Sequence, residues 1–432
     1  MSRPLTQSDW DILQSYTHRI RSIRSFKSGL NRKSIEALSN PPTTGPLFPN
    51  LCVLRCEYAV KTIPLLHMPL PSLVFLDVKF ENPHLFQDSL KSFPKFSPNI
   101  TTIFIHVQQL KDTFSKIEPN YICRWRNLCS VICPQIALDV DALAHLSRMP
   151  ALTQLTFAMS ATLPASDSPL IFSNLHDLTL HSKSLDPIAR LFSHTRLHVI
   201  TNFTARIDSC PSGQELSSFL AGVPTSNAGH TIKRLQLTQT TPPSSNVPRS
   251  ELPLLGLEDL RPCMAFSDLR HIELNIECNV GLTDTQLLTL ASTWPKLERF
   301  LINVDWGWGS LGGITPGGLV RLLETCRSLR EVALVLDTRG YTESRPSQSL
   351  GLTLPPEFLI NLVDSVIEAE SVPAVAAFFS DIATCVESDF LFCAWTGASM
   401  ITLPNSEEYM ERWDDVSHRV DVVLGRCSEF GD

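Results

Sequence analysis

Apolar and polar positions alternate along this chain in one short, recurring phrase: an apolar residue, two variable positions, a second apolar residue, one variable position, a third. It reads Leu51-x-x-Leu54-x-Cys56, Leu73-x-x-Leu76-x-Val78, Ile100-x-x-Ile103-x-Ile105, Leu128-x-x-Val131-x-Cys133, Leu152-x-x-Leu155-x-Phe157 and Leu175-x-x-Leu178-x-Leu180. It resumes as Ile232-x-x-Leu235-x-Leu237, Leu269-x-x-Ile272-x-Leu274, Leu297-x-x-Phe300-x-Ile302 and Leu329-x-x-Val332-x-Leu334. The second and third positions alternate with polar residues, the period of a strand with one buried face. The long gap after Leu175 predicts a degenerate repeat near Leu197–Phe203.

Self-similarity at a period of roughly 20–30 residues is the mark of a leucine-rich solenoid, in which each unit buries its apolar side only against its neighbours. The expected fold class is therefore α/β: a leucine-rich-repeat solenoid with a curved parallel sheet on the concave side. Helices and loops form the convex side, and helices cap both ends. The divisions expected are 1–46 for an N-terminal helical cap and linker, 47–400 for the solenoid and 401–432 for a C-terminal helical cap.

The caps and convex helices carry their own signals. Thr6 and Ser8 stand ready to cap a first helix, and Trp10, Leu13, Tyr16, Ile20 and Ile23 recur at three- and four-residue spacing as one stripe. Thr283-Asp284-Thr285-Gln286 is a capping box ahead of an apolar run, and Thr315-Pro316 places proline at a first helical position. Further helices are expected from Pro373 through Ile382, behind Ser371, and across Glu407–Cys427 with Met410, Trp413, Val416 and Val420 on one face. Pro- and Ser-rich loops are expected at 241–248 and 339–348.

Composition narrows the function classes. The 432 residues are 43% hydrophobic and 19% charged, a folded rather than disordered balance. The net charge of −8 gives no support to nucleic-acid binding. No apolar run is long enough to span a bilayer, and the first residues lack a signal-peptide core, so a cytoplasmic or nuclear address without membrane attachment is expected. Twelve cysteines without a C-x-x-C pair, Cys56 and Cys133 among them at inward positions, predict reduced core thiols rather than metal ligands or disulfides.

Candidate chemistry is sparse. Gly307-Trp308-Gly309-Ser310-Leu311-Gly312 matches the dinucleotide pattern G-x-G-x-x-G, with Asp337 at the end of the following strand. The dinucleotide turn needs its third glycine inside the helix, whereas here the helix is expected to begin at Thr315-Pro316, and Trp308 sits within the motif. His194 and His198, four apart at the spacing of one helical face, have no Asp, Glu or Cys at ligand spacing. No catalytic residue, metal ligand or cofactor is assigned.

What remains is a surface. Side chains flanking the inward apolar positions point away from the core. They include Asp77, Lys79, Asp177, Thr179, His181, Arg234, Gln236, His271, Glu273, Asn275, Arg299 and Asn303, with Trp306 and Trp308 adjacent. This mixed face suits a protein partner, although both tryptophans have the alternative of packing within their own loop.

The chain resembles the leucine-rich-repeat F-box proteins of mushroom-forming (basidiomycete) fungi. The residues that carry the resemblance are Ser8-Asp9-Trp10 with Tyr16-x-x-Arg19-Ile20-Arg21, and Trp306-Gly307-Trp308 through Gly313-Ile314-Thr315-Pro316-Gly317-Gly318-Leu319. Leu336-Asp337-Thr338-Arg339-Gly340-Tyr341-Thr342 and Ser371-Val372-Pro373-Ala374-Val375-Ala376-Ala377-Phe378 match as well. In that family an F-box docks to the adaptor of a cullin ubiquitin ligase and the repeats present a substrate. No Leu-Pro-x-Glu helix precedes the repeats here; Leu354-Pro355-Pro356-Glu357 echoes it near the other end. The resemblance implies a non-enzymatic, protein-binding substrate receptor, with a cullin-ligase adaptor as a further partner if an F-box lies upstream. A stand-alone leucine-rich-repeat binding protein is the alternative, and a nucleotide-binding enzyme using the Gly307–Gly312 turn is the remote one.

Overall fold

The computed structural model describes residues 6–25, 45–56, 68–80, 93, 95, 97–107, 115–116, 122, 124–159, 169–226, 230–241, 249–309, 313–342, 351–386, 390–394 and 405–426. These fall into two compact units, Met1–Ser182 with His194–Ile200, and Lys183–Ser193 with Thr201–Asp432.

In the first unit, strands β1 (Ser22–Ser25), β2 (Val53–Cys56), β3 (Phe75–Phe80), β4 (Thr102–Val107), β5 (Ser130–Ala137), β6 (Gln154–Ala158) and β7 (Asp177–Ser182) form a parallel ladder. The register aligns like with like: Ile23, Leu54, Leu76, Ile103, Val131, Leu155 and Leu178 stand side by side. One irregularity follows from Pro134, which has no N–H for the ladder, and the register shifts between Cys133 and Ala137.

In the second unit, β8 (Asn202–Ile207), β9 (Arg234–Gln239), β10 (His271–Asn275), β11 (Arg299–Ile302), β12 (Glu331–Ala333), β13 (Phe358–Asn361) and β14 (Phe390–Cys393) are likewise parallel. Phe203, Leu235, Ile272, Phe300, Val332, Ile360 and Phe392 make the corresponding row. β8 fills the degenerate repeat expected near Leu197–Phe203.

Every lead, second and third residue of the phrases is buried. Each such aliphatic side chain contributes about 1.5–3 kcal/mol when removed from water, so the phrase itself supplies the cohesion of the ladder.

Among the described residues, several connections between strands run through helices. α1 (Gln7–Thr17) and α2 (Val140–Ser147) belong to the first unit, α2 being capped by Asp139, whose carboxylate accepts from the Ala142 N–H at 2.8 Å. The second unit carries α3 (Asp186–Ser193), α4 (Gly213–Ser226), α5 (Asp284–Thr293), α6 (Pro316–Thr325), α7 (Val372–Ala383) and α8 (Ser406–Val423). The Thr283 capping box opens α5, and Thr315 caps α6, whose first residue is Pro316. The Asp284 carboxylate accepts from the Thr315 N–H at 2.8 Å and its hydroxyl at 2.6 Å, tying the starts of successive helices together. α8 lies against α7, with Phe379 and Trp413 edge to face at 6.1 Å and the indole N–H of Trp413 donating to the Ser365 carbonyl at 2.9 Å. No helix of the described residues is long and apolar enough to cross a membrane.

The N-terminal stripe needs correction. α1 ends at Thr17, Tyr16 is exposed, and Ile23 lies in β1, paired with Leu54. A three-residue apolar spacing fits both a helical stripe and the phrase of the ladder, and Ile20-x-x-Ile23 belongs to the ladder. The ladder thus starts inside the segment expected to be cap. His194 and His198 share no helical face: they flank the short strand Thr195–Leu197. Most of the loop expected at 241–248 and of that at 339–348 lies outside the described residues.

Candidate partner-binding surface

The first unit turns two rows of side chains away from its core. One runs Ser22, Val53, Phe75, Thr102, Ser130, Gln154 and Asp177; the other runs Arg24, Arg55, Asp77, Phe104, Ile132, Thr156 and Thr179. Asp177, Thr179 and His181 stand half-buried at the β7 end, and Lys79 pairs with His106 farther along. Phe75 and Phe104 lie at 5.4 Å between ring centroids, with the Arg55 guanidinium 5.0 Å above the Phe75 ring. Val53 and Ile132 border them, all half-buried on the side that faces away from the core. Sequence reasoning passed over this aromatic pair. Its signal was two phenylalanines at variable positions of adjacent phrases, where polar residues are the rule.

The second unit's outward rows run Asn202, Arg234, His271, Arg299, Glu331, Leu359, Leu391 and Thr204, Gln236, Glu273, Leu301, Ala333, Asn361, Cys393. Here the structure brings several expected residues together. The Thr204 hydroxyl donates to Gln236 Oε1 at 3.1 Å, and Gln236 Nε2 donates to Glu273 Oε2 at 2.6 Å. His271 Nε2 stands 3.3 Å from the same oxygen. That imidazole contact, with help from Gln236, holds the Glu273 carboxyl below the usual carboxylate range against the opposing effect of burial. Arg299 Nε pairs with Glu331 at 3.2 Å. Asn275 is buried and exchanges two hydrogen bonds with Asp305, donating to its carboxylate at 2.5 Å and accepting from its N–H at 3.1 Å.

Asn303, Trp306 and Trp308 leave the expected surface. Asn303 has φ of 51° and is fully buried, because the left-handed turn it makes directs the amide under the loop. Its Oδ1 accepts from the Ile276 N–H at 3.1 Å, and its Nδ2 donates to the carbonyls of Cys278 at 2.9 Å and Gly307 at 3.2 Å. Trp308 is fully buried with its indole N–H on the Ile302 carbonyl at 2.9 Å, and Trp306 is buried beside it. Both indoles pack within the fold.

The glycine-rich turn has the geometry of an anion cradle, with φ of 69° at Gly307 and 63° at Gly309. Its occupant is internal. The N–H groups of Trp308 and Gly309 donate to the Asp364 carboxylate at 2.8 and 3.2 Å, and Arg249 approaches it at 3.8 Å. Burial pushes the Asp364 carboxyl up and the Arg249 guanidinium down. α6 begins at Pro316, beyond the turn rather than within it, so the dinucleotide geometry is not reproduced. Gly312 lies outside the described residues.

Stacked parallel strands, most of which carry the same leucine phrase, decide the class. Each unit has the fold of a leucine-rich-repeat solenoid. No protein-family model matches the chain, and no curated protein does either. Among solved structures it is similar to an internalin of Listeria monocytogenes, at 11% identity and a TM-score of 0.34 over 80% of this chain and 88% of that one. It is also similar to a TLR13–ssRNA13 complex, at 11% identity and a TM-score of 0.29 over 88% of this chain and 68% of the other.

Proposed function

We propose that this leucine-rich-repeat protein is an interaction scaffold whose outward sheet faces hold a protein partner, as the substrate-recognition part of an F-box ubiquitin-ligase subunit does. The observation that carries the binding reading is the Phe75–Phe104 pair with Arg55 stacked upon it, on a face the ladder does not need for its own cohesion. Aromatic and arginine side chains in partly desolvated settings are the usual anchors of protein interfaces. Asp177, Thr179 and His181 offer adaptable polar contacts on the first unit's face; in the second unit Arg234, Gln236, Glu273 and Arg299 offer them on a face of their own, with His271 and Asn275 beneath. The ligase link rests on the sequence resemblance alone.

The test is affinity capture from native cells with wild type and Phe104→Asp side by side. A partner retained by wild type and lost by the variant, whose circular-dichroism melt is unchanged, supports the scaffold. Equal capture by both refutes this face. Co-purification of a cullin adaptor favours the ligase reading, and capture of partners without it favours the stand-alone one.

A further inference from the structure

From the second unit we infer a linear recognition stripe for an extended acidic peptide that ends in an apolar residue. The inference rests on the scaffold reading above and names the chemistry of the partner. Two neighbouring rows cross the strands near their N-terminal ends. In one, backbone hydrogen bonds link Thr201, Lys233, Arg270, Glu298 and Arg330 in sequence. In the other stand Asn202, Arg234, His271, Arg299 and Glu331. Lys233, Arg234, Arg270, Arg299 and Arg330 are exposed. The acids among them are Glu298, paired with Arg270 at 3.0 Å, and Glu331, paired with Arg299 at 3.2 Å, with Glu273 in the next row. Basic charge thus exceeds acidic along this line, within a chain whose net charge is −8.

Two further features shape the partner. His271, in the middle of the stripe, is only 6% exposed, and its Nδ1 is buried without a hydrogen-bond partner. Its Nε2 faces Glu273, so the ring forms part of the floor of the stripe and leaves the arginines as the charged contacts. Beyond Glu331 the same row continues into Leu359 and Leu391, the latter 59% exposed. Strands about 4.8 Å apart put Arg234 and Leu391 roughly 24 Å from each other, the reach of about seven extended residues. Acidic side chains therefore meet the arginines while a following apolar side chain meets the two leucines.

Fluorescence polarisation with a labelled peptide of glutamates followed by two leucines tests this. The full chain is expected to bind it saturably at low ionic strength and to release it as salt rises. Arg234→Glu combined with Arg330→Glu is expected to weaken binding by about tenfold or more. Leu391→Asp is expected to weaken it separately, and Arg261→Glu, on a distant exposed pair, to leave it unchanged. Melting curves of each variant exclude misfolding. Lack of saturable binding by wild type, or equal binding by the charge-reversed variant, overturns the stripe. So does tighter binding of an oligothymidine probe through the same arginines, which assigns the surface to nucleic acid. If the stripe fails while Phe104→Asp still abolishes partner capture, the scaffold reading stands without it.

Discussion

Replacing Asn303 tests whether one amide closes the turn after β11. In Asn303→Ala, the Ile276 N–H loses its acceptor and the carbonyls of Cys278 and Gly307 lose a donor, all in a site that is fully buried. A buried N–H left unpaired costs about 1–3 kcal/mol, and the carbonyls add less because each has a second lone pair. Alanine must also hold a φ of 51°, which costs about 1 kcal/mol more than for asparagine or glycine. The sum is about 3–4 kcal/mol. For a unit of this size that lowers the melting midpoint by about 6–16 °C. Asn303→Gly loses the same hydrogen bonds but accepts the backbone geometry, so it should recover about 1 kcal/mol relative to alanine. Urea titrations followed by circular dichroism give both differences. An alanine variant as stable as wild type, or a glycine variant less stable than the alanine one, refutes the reasoning.

Three other outcomes are expected. Asp364→Ala, which strips the acceptor from the Trp308 and Gly309 N–H groups, should destabilise by about 3 kcal/mol and Asp364→Asn by less, read from denaturant midpoints. The Asp364 carboxyl is raised by burial, so its contribution is full below the unfolded carboxylate range and is lost as pH rises through the folded value. Wild type should accordingly lose ground to Asp364→Asn as melts are taken from acid toward neutral pH; the reverse trend sinks that assignment. Gly309→Ala should cost far more than Gly340→Ala, since both have positive φ but only the former's new methyl collides with Asn279 Oδ1 and the Arg249 guanidinium; equal melting points would contradict this. Cys133, its thiol pushed up to about 12 by burial, should resist a thiol reagent in the native state at pH 8 and react once the chain is unfolded.

The ladder was legible because its phrase repeats a spacing that only stacked strands can bury together. It failed where a residue broke the phrase. At β13 the lead position is Glu357, exposed and with φ of 62°, and the corresponding position before β14 is Asp389, so neither strand announced itself. β1 was hidden for the opposite reason, its Ile20-x-x-Ile23 spacing prolonging a helical stripe. Capped helices were readable from Thr283 and Thr315 because a cap is a local hydrogen bond and needs no tertiary knowledge. The surface was less legible. Alternation predicts which side a residue faces only while the backbone remains extended, and at Asn303 it does not. The outward aromatic pair was invisible to a search for apolar positions that repeat, since Phe75 and Phe104 recur nowhere else in the rows.

The carboxylate of Asp364 has a mechanical consequence. Arg249 follows β9, Asn279 follows β10, Trp308 follows β11 and Asp364 follows β13, and hydrogen bonds or charge join all four loops. Solenoids otherwise transmit force only from one coil to the next. Here a tether skips β12, so peeling the chain from its C-terminal end should halt at this knot and then release several coils in a single rupture.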